Sequence, residues 1–334
     1  LRILGTETIY QILKEMNQLD ERITSLEVVQ EVAERSDVDT VLLGSFVKLG
    51  DTVRINVRLQ HAQSGEILTT EKVEGVGESS IFPMLDDISR RIKDRFEIAG
   101  EDYAGLDLEL KDITSASIEA QRHYTEGLKL HNAGMNTEAL DAYERAVALD
   151  PGFAKAMVRL SEVSSNGGFI EQAEEYARRA LEQQGRLSAP DRLFAEGFQY
   201  AVREGTWDRA LQAFERVIEL YPDYGPARLS LGYRNLRLER YEEALEILEK
   251  LRDRRYPFLG AYAHISIANA NLGLFEEGYQ ALLEYIERNP SDYAGHARLG
   301  RHLIWWGKLD EANRVLQKAA SIYPEGTAQA IGRW

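Results

Sequence analysis

The side chains able to act as nucleophile, base or metal ligand are few and scattered. There are six histidines, His61, His123, His131, His264, His296 and His302. No two stand four residues apart, the spacing that puts two imidazoles on one helix face around a metal. His123 and His131 are eight apart, about 12 Å along a helix and too far to share an ion. The chain has no cysteine, which excludes disulfides, thiol catalysis and thiolate metal sites. Ser45 lies in Leu42-Leu43-Gly44-Ser45-Phe46-Val47, not in the Gly-x-Ser-x-Gly turn that presents a hydrolase nucleophile. Gly75-Val76-Gly77-Glu78-Ser79-Ser80 has part of the composition of a phosphate loop. It lacks the third glycine and a following acidic strand end, and reads as a flexible loop ahead of a helix starting near Ile81. The adjacent carboxylates Asp86-Asp87 and Glu242-Glu243 point to different sides of their helices. No catalytic set, metal site or cofactor is expected.

What must then be positioned is a binding surface, and composition narrows its partner. The 334 residues are 44% hydrophobic with a net charge of −15, ample for a core and repulsive to a phosphate backbone, so nucleic acid is not expected. No apolar run approaches the ~20 residues of a membrane span. The absence of cysteine suits an oxidising, extracytoplasmic compartment. The first residue is Leu1, which predicts a piece of a longer protein.

The positioning elements announce themselves by repetition. Pro151, Pro222, Pro290 and Pro324 close similar phrases, and Ala139, Ala173, Ala210, Ala244, Gly278 and Ala312 recur every 34 residues with one step of 37. This sets units at 120–153, 154–187, 191–224, 225–258, 259–292 and 293–326, with Ser188-Ala189-Pro190 as an insertion. Each unit reads as two helices. Gly127 and Gly300 are the small positions of the first helix. Ala139, Ala146, Ala173, Ala180, Ala210, Ala244 and Ala312 are those of the second, and small side chains let paired helices approach closely. Gly134, Gly168, Gly205, Gly273 and Gly307 fall at the turn between the helices, where a left-handed residue ends the first one. The third unit departs with Phe198 at the small position and Val217 in place of the last alanine. The fourth departs with Glu239 at the turn and Pro257 one place late. Looser packing is expected between units two and four.

The pattern resembles the tetratricopeptide repeat family. The resemblance implies a mainly α fold, a right-handed superhelix of about six repeats whose concave face, lined by the first helices, binds a protein or peptide. On this register the groove collects Tyr124, Leu128, His131 and Asn132, then Arg192, Gln199 and Arg203, then Tyr233 and Arg237, then Asn271, Arg301 and Trp305. Tyr, Trp and Arg are the types that dominate interface energy. Lys155, Val158, Glu162 and Asn166 supply the second unit's share. The first three units lack the Lys–Asn pattern of the chaperone-tail clamp.

Before the repeats the period changes to two. Val53, Ile55, Val57 and Leu59 alternate with polar residues, the sign of a half-buried strand. Thr40–Lys48 and Glu66–Glu74 flank it across the turns Gly50-Asp51 and Ser64-Gly65. Ile9, Leu13 and Met16, then Val28, Val29 and Val32, predict two helices in front, with Thr24 and Glu27 as a capping box. Ile81, Leu85, Ile88, Ile92 and Phe96 predict one behind. A small α/β domain at 1–98, with a three-stranded antiparallel meander, precedes a linker at 99–119; 327–334 is a tail. The stretch with Asp39, Gly44-Ser45, Gly50-Asp51 and Ser64-Gly65-Glu66 resembles the TolB-like N-terminal domain. That resemblance implies the sensory part of a bacterial signalling protein; a free-standing scaffold for envelope assembly or secretion is the alternative. Leu1-Arg2-Ile3 reads as a strand of a truncated domain, and Thr327–Trp334 is too short to cap the last repeat. Both ends therefore predict a longer protein or self-association into a homo-oligomer.

Overall fold

The computed structural model describes residues 25–36, 38–95, 117–132, 135–222, 224–253 and 259–323, with the isolated positions 9, 12, 13, 16 and 115. The N-terminal part contains α1 (Leu26–Ser36), β1 (Thr40–Leu49), β2 (Thr52–His61), β3 (Ile67–Val76) and α2 (Ile81–Arg95). The strands form one antiparallel sheet in the order β1-β2-β3. Gly44 pairs with Val57 and Phe46 with Ile55, while Val73 pairs with Ile55 from the other side. The alternation in β2 therefore sends Val53, Ile55 and Val57 to one face, where Val73 and the helical Met84 and Ile88 complete a core. Gly50 and Gly65 turn the chain with left-handed φ of 57° and 70°, conformations that cost glycine little.

Two expectations here need correcting. Gly75-Val76 belongs to β3, and Glu78–Ser80 form a 3-10 turn, so the glycine-rich stretch is a strand end rather than a loop. The cap of α1 is Ser25, whose Oγ accepts from Val28 N at 3.3 Å. Thr24 lies outside the described residues. So do most of the first predicted helix, Leu1-Arg2-Ile3, Phe96, nearly all of the 99–119 linker, Gly134, Pro257 and the 327–334 tail.

Twelve helices follow among the described residues: α3 (Ile118–Asn132), α4 (Asn136–Leu149), α5 (Ala154–Asn166), α6 (Ile170–Glu182), α7 (Ala189–Ala201), α8 (Trp207–Leu220), α9 (Gly225–Arg237), α10 (Tyr241–Asp253), α11 (Leu259–Asn271), α12 (Phe275–Arg288), α13 (Tyr293–Trp305) and α14 (Leu309–Ile322). They pack as successive pairs, each pair touching mainly the next, the arrangement of a solenoid. The seven predicted crossing alanines are all buried. Gly127, Gly232 and Gly300 lie against Tyr143, Leu248 and Leu316 so closely that a Cβ would come within 2.6 Å of them. The turns inside the second, fifth and sixth pairs also share one geometry. Gly168, Gly273 and Gly307 have φ of 80°, 79° and 79°. The next N–H reaches back five residues, as in Phe169 N to Ser164 O at 2.9 Å and Lys308 N to Leu303 O at 2.9 Å, closing the helix end as a Schellman motif does. No described helix is long and apolar enough to cross a membrane.

The third pair shifts its register rather than loosening. Gly197, not Phe198, takes the small position, with a Cβ there 3.0 Å from Ala213 and Phe214. α7 starts at Ala189, inside the predicted insertion. Its cap is Ser188, whose Oγ accepts from Asp191 N at 3.3 Å. One continuous core runs from Ala120 to Leu231 across the region expected to be loose. Tilted ring contacts of Phe194 with Phe198, Phe214 and Tyr224, with centroids 5.5–5.8 Å apart, fill the space a smaller residue would leave. The turn before α7 is fastened by Arg186, which donates from Nη1 and Nη2 to Asp150 at 3.0 and 2.8 Å.

Candidate functional site

The curvature of the array follows from which helices touch. From α5 onward the first helix of each pair packs on the first helix of the next, α5 on α7, α7 on α9, α9 on α11 and α11 on α13. No two second helices pack in that way among the described residues. The first helices therefore form the inner face, and their side chains are crowded together from successive units.

The predicted groove residues do not share one fate. Tyr124 is core: its ring lies 5.8 Å from Tyr143 and 5.1 Å from Phe153. Leu128 leans on the same core, and the side chain of Asn132 lies outside the described residues. Arg203 is held by Glu174 of α6, a second helix, and so is drawn off the inner face. Arg192, Gln199 and Asn271 are exposed, Asn271 donating to Ile267 O at 2.9 Å. The structure brings together Tyr233 and Arg237, joined by an Arg237 Nη1 donation to Tyr233 Oη at 3.2 Å. Arg301 lies 5.6 Å over the ring of Trp305, itself 43% exposed.

Between these lie groups the register could have flagged and did not. Arg159, His264 and Arg298 share one column of the repeat, and Arg234 lies beside Tyr233. In the first half of the inner face the charges answer one another. Arg159 Nη1 meets Glu162 Oε2 at 2.7 Å. Lys155 Nζ meets Asp191 Oδ2 at 3.4 Å, and Asp191 also accepts from Ser188 at 2.7 Å and Tyr224 at 2.8 Å. Burial works against ionised Glu162, but Arg159 and His131 outweigh it and hold the carboxyl below its ordinary range. Burial likewise opposes Asp191, and Lys155 with the two hydroxyl donors outweighs it. His131 is pushed down by burial despite Glu162.

The second half is answered only in part. Arg237 Nη2 meets Glu204 Oε1 at 3.2 Å, but Arg234 and Arg298 make no ion pair among the described residues. Arg234 is 4% exposed, and its Nε is buried without a hydrogen-bond partner. Its guanidinium lies 5.2 Å from the Trp207 ring and 5.0 Å from Tyr233. Burial pushes it down to about 10. His264 stacks on Tyr233 at 4.9 Å with its Nδ1 unpartnered. Burial first, and the Arg298 and Arg234 charges next, push it down to about 3, so it is neutral at pH 7. Burial lowers Arg298, and burial with Arg298 beside it pushes Arg301 down to about 9.

Comparison with known proteins agrees with this picture in part. Residues 201–263 match the sequence model of the family described as "Tetratricopeptide repeat". No curated protein matches the chain. Among solved structures, a thermophilic TPR protein of Thermus thermophilus is 19% identical over 55% of this chain and 99% of its own, with a TM-score of 0.44. YrrB, described as a TPR protein with an unusual peptide-binding site, is 20% identical over 58% and 100%, with a TM-score of 0.36. MamA of Desulfovibrio magneticus RS-1 is 22% identical over 52% and 96%, with a TM-score of 0.38. The matched segment and the repeated helix pairs support reading the helical part of the chain as a tetratricopeptide-type superhelix.

Proposed function

We propose that the chain is a non-catalytic scaffold whose inner face binds an extended or helical segment of another protein. The observation that carries this reading is the inner face itself. Tyr233, Arg237, Arg301 and Trp305, from two of the first helices, present aromatic and guanidinium groups where curvature lets them close on one ligand. Such anchors in a concave site supply most of the free energy of a protein interface. The proposal extends to organisation: an α/β TolB-like domain over 1–98 and repeats over 120–326, serving as the sensory or scaffold part of a larger bacterial signalling protein. The exposed apolar side chains of β1, with Phe46 75% exposed, are consistent with a domain that works against further protein. A triple variant, Tyr233→Ala, Arg237→Ala and Arg301→Ala, tests the binding reading in pull-downs against the parent chain. Loss of the recovered partners is expected. Unchanged recovery would move the binding surface elsewhere.

A further inference from the structure

We infer that the inner face of α9, α11 and α13 is an anion site, and that the segment bound there carries clustered carboxylates. The inference rests on the binding function proposed above and specifies its ligand. It starts from an imbalance. The chain as a whole carries −15, yet these three helices turn Arg234 and Arg298 inward, and among the described residues no carboxylate stands within ion-pair distance of either. The neighbouring helices show that the fold can neutralise inward cations, since Arg159 has Glu162 and Lys155 has Asp191. Arg234 is buried and Arg298 half-buried, and the carboxylates of Glu162 and Glu204 act on Arg234 from beyond ion-pair distance. Buried charge without a close partner is costly to hold, so the site is set up for a counter-charge from outside the chain.

The surroundings select the ligand. Arg234 is fixed by Trp207 and Tyr233 on its faces, which leaves its edge, including the unpartnered Nε, as the hydrogen-bonding side. A planar guanidinium edge matches a carboxylate in two parallel bonds. His264, whose imidazole lies within reach of both arginine charges, has an unpartnered Nδ1, a third polar atom for the same ligand. Tyr233 lies against Arg234, and the half-exposed Trp305 lies against Arg301 on the same helix as Arg298; both rings suit the apolar stems and neighbouring side chains of a peptide. An acidic peptide segment satisfies all of these; a bare phosphate leaves the aromatics unused.

The test uses the whole chain, a membrane array of random 12-residue peptides, and two variants, R234Q/R298Q and Y233A/W305A. Bound peptides should be enriched in Asp and Glu, and R234Q/R298Q should lose at least about tenfold in binding to them. Raised salt should weaken the parent's binding. Inorganic phosphate at millimolar levels should not compete. Peptides bound without acidic enrichment, but lost in Y233A/W305A, would overturn this inference and leave the groove reading standing. Binding unchanged in both variants would overturn both, and competition by phosphate would overturn the choice of a peptide. R298Q alone supplies a measurement independent of peptides. Removing an unpaired inward cation should leave its thermal midpoint equal or raised, and a lowered midpoint would show that Arg298 already has its counter-charge.

Discussion

Glu239 offers the cleanest test of the repeat geometry. It occupies the turn position that glycine holds in the second, fifth and sixth pairs, and it does so at φ 60°, the sole non-glycine residue at positive φ among those described. The turn closes as its counterparts do: Glu239 N donates to Leu236 O at 3.2 Å and Arg240 N to Asn235 O at 3.0 Å. The backbone conformation is thus imposed by the repeat, not chosen by the residue. A left-handed L-residue costs roughly 1–2 kcal/mol, while glycine loses about 0.4–1 kcal/mol more chain entropy on folding. Glu239→Gly should therefore stabilise by about 0.5–1 kcal/mol, a rise of roughly 1–3 °C in melting midpoint. Glu239→Ala removes the same exposed carboxylate but keeps a Cβ, so it should gain none of this. The reverse exchange, Gly273→Ala, should lose a similar amount, because a Cβ there meets nothing within 4 Å and only φ 79° opposes it. Melting followed by circular dichroism compares all four proteins. Equal midpoints for Glu239→Gly and Glu239→Ala would refute the argument that the repeat holds this turn in a left-handed state.

Other consequences follow from the packing and the buried charges. Gly300→Ala puts a Cβ 2.5 Å from Leu316 and should cost about 1–3 kcal/mol in thermal or urea unfolding, part of it recovered by adding Leu316→Ala. Arg186→Ala leaves the half-buried Asp150 with only Ser115 and the Gly152 N–H and should cost about 1–3 kcal/mol. Gly152→Ala, whose Cβ would sit 2.1 Å from Arg186 Nη1, should be non-additive with it in a double-mutant cycle. Because the folded pKa of His264 is depressed from 6.5 to about 3 by burial and by Arg298 and Arg234, the unfolded chain binds the extra proton. Stability is then full above pH 6.5 and falls toward pH 3, at up to about 1.4 kcal/mol per pH unit from this group. His264→Asn should flatten that slope in urea titrations across the window.

Much of the fold was legible because its constraints are local and recur. A crossing that admits only glycine or alanine writes itself into the sequence every 34 residues, so Gly127, Gly300 and the seven buried alanines could be read before any coordinates. The alternation of Val53, Ile55 and Val57 gave β2 its faces for the same reason. The third pair was misread at one residue: the period placed Phe198 at the crossing, but the helix starts early on the Ser188 cap and brings Gly197 there instead, a shift that only cap geometry reveals. The inner face was harder. Position in the register says that a side chain points inward, not whether a neighbour has taken it. Tyr124 pointed inward and was absorbed by Phe153, and Arg203 was captured by Glu174. Arg234 and Arg298 carry their meaning in the carboxylates that fail to meet them, which depends on helices two units away.

The central claim is that the ligand lies on the inner face. A photo-activatable cross-linking side chain placed at the exposed inner positions Gln199 or Asn271, and separately at the exposed second-helix positions Glu215 or Glu246, tests it directly. Cross-links to the partner recovered from the inner positions, and not from the outer ones, are the predicted result. Cross-links from Glu215 or Glu246 with none from Gln199 or Asn271 would contradict it.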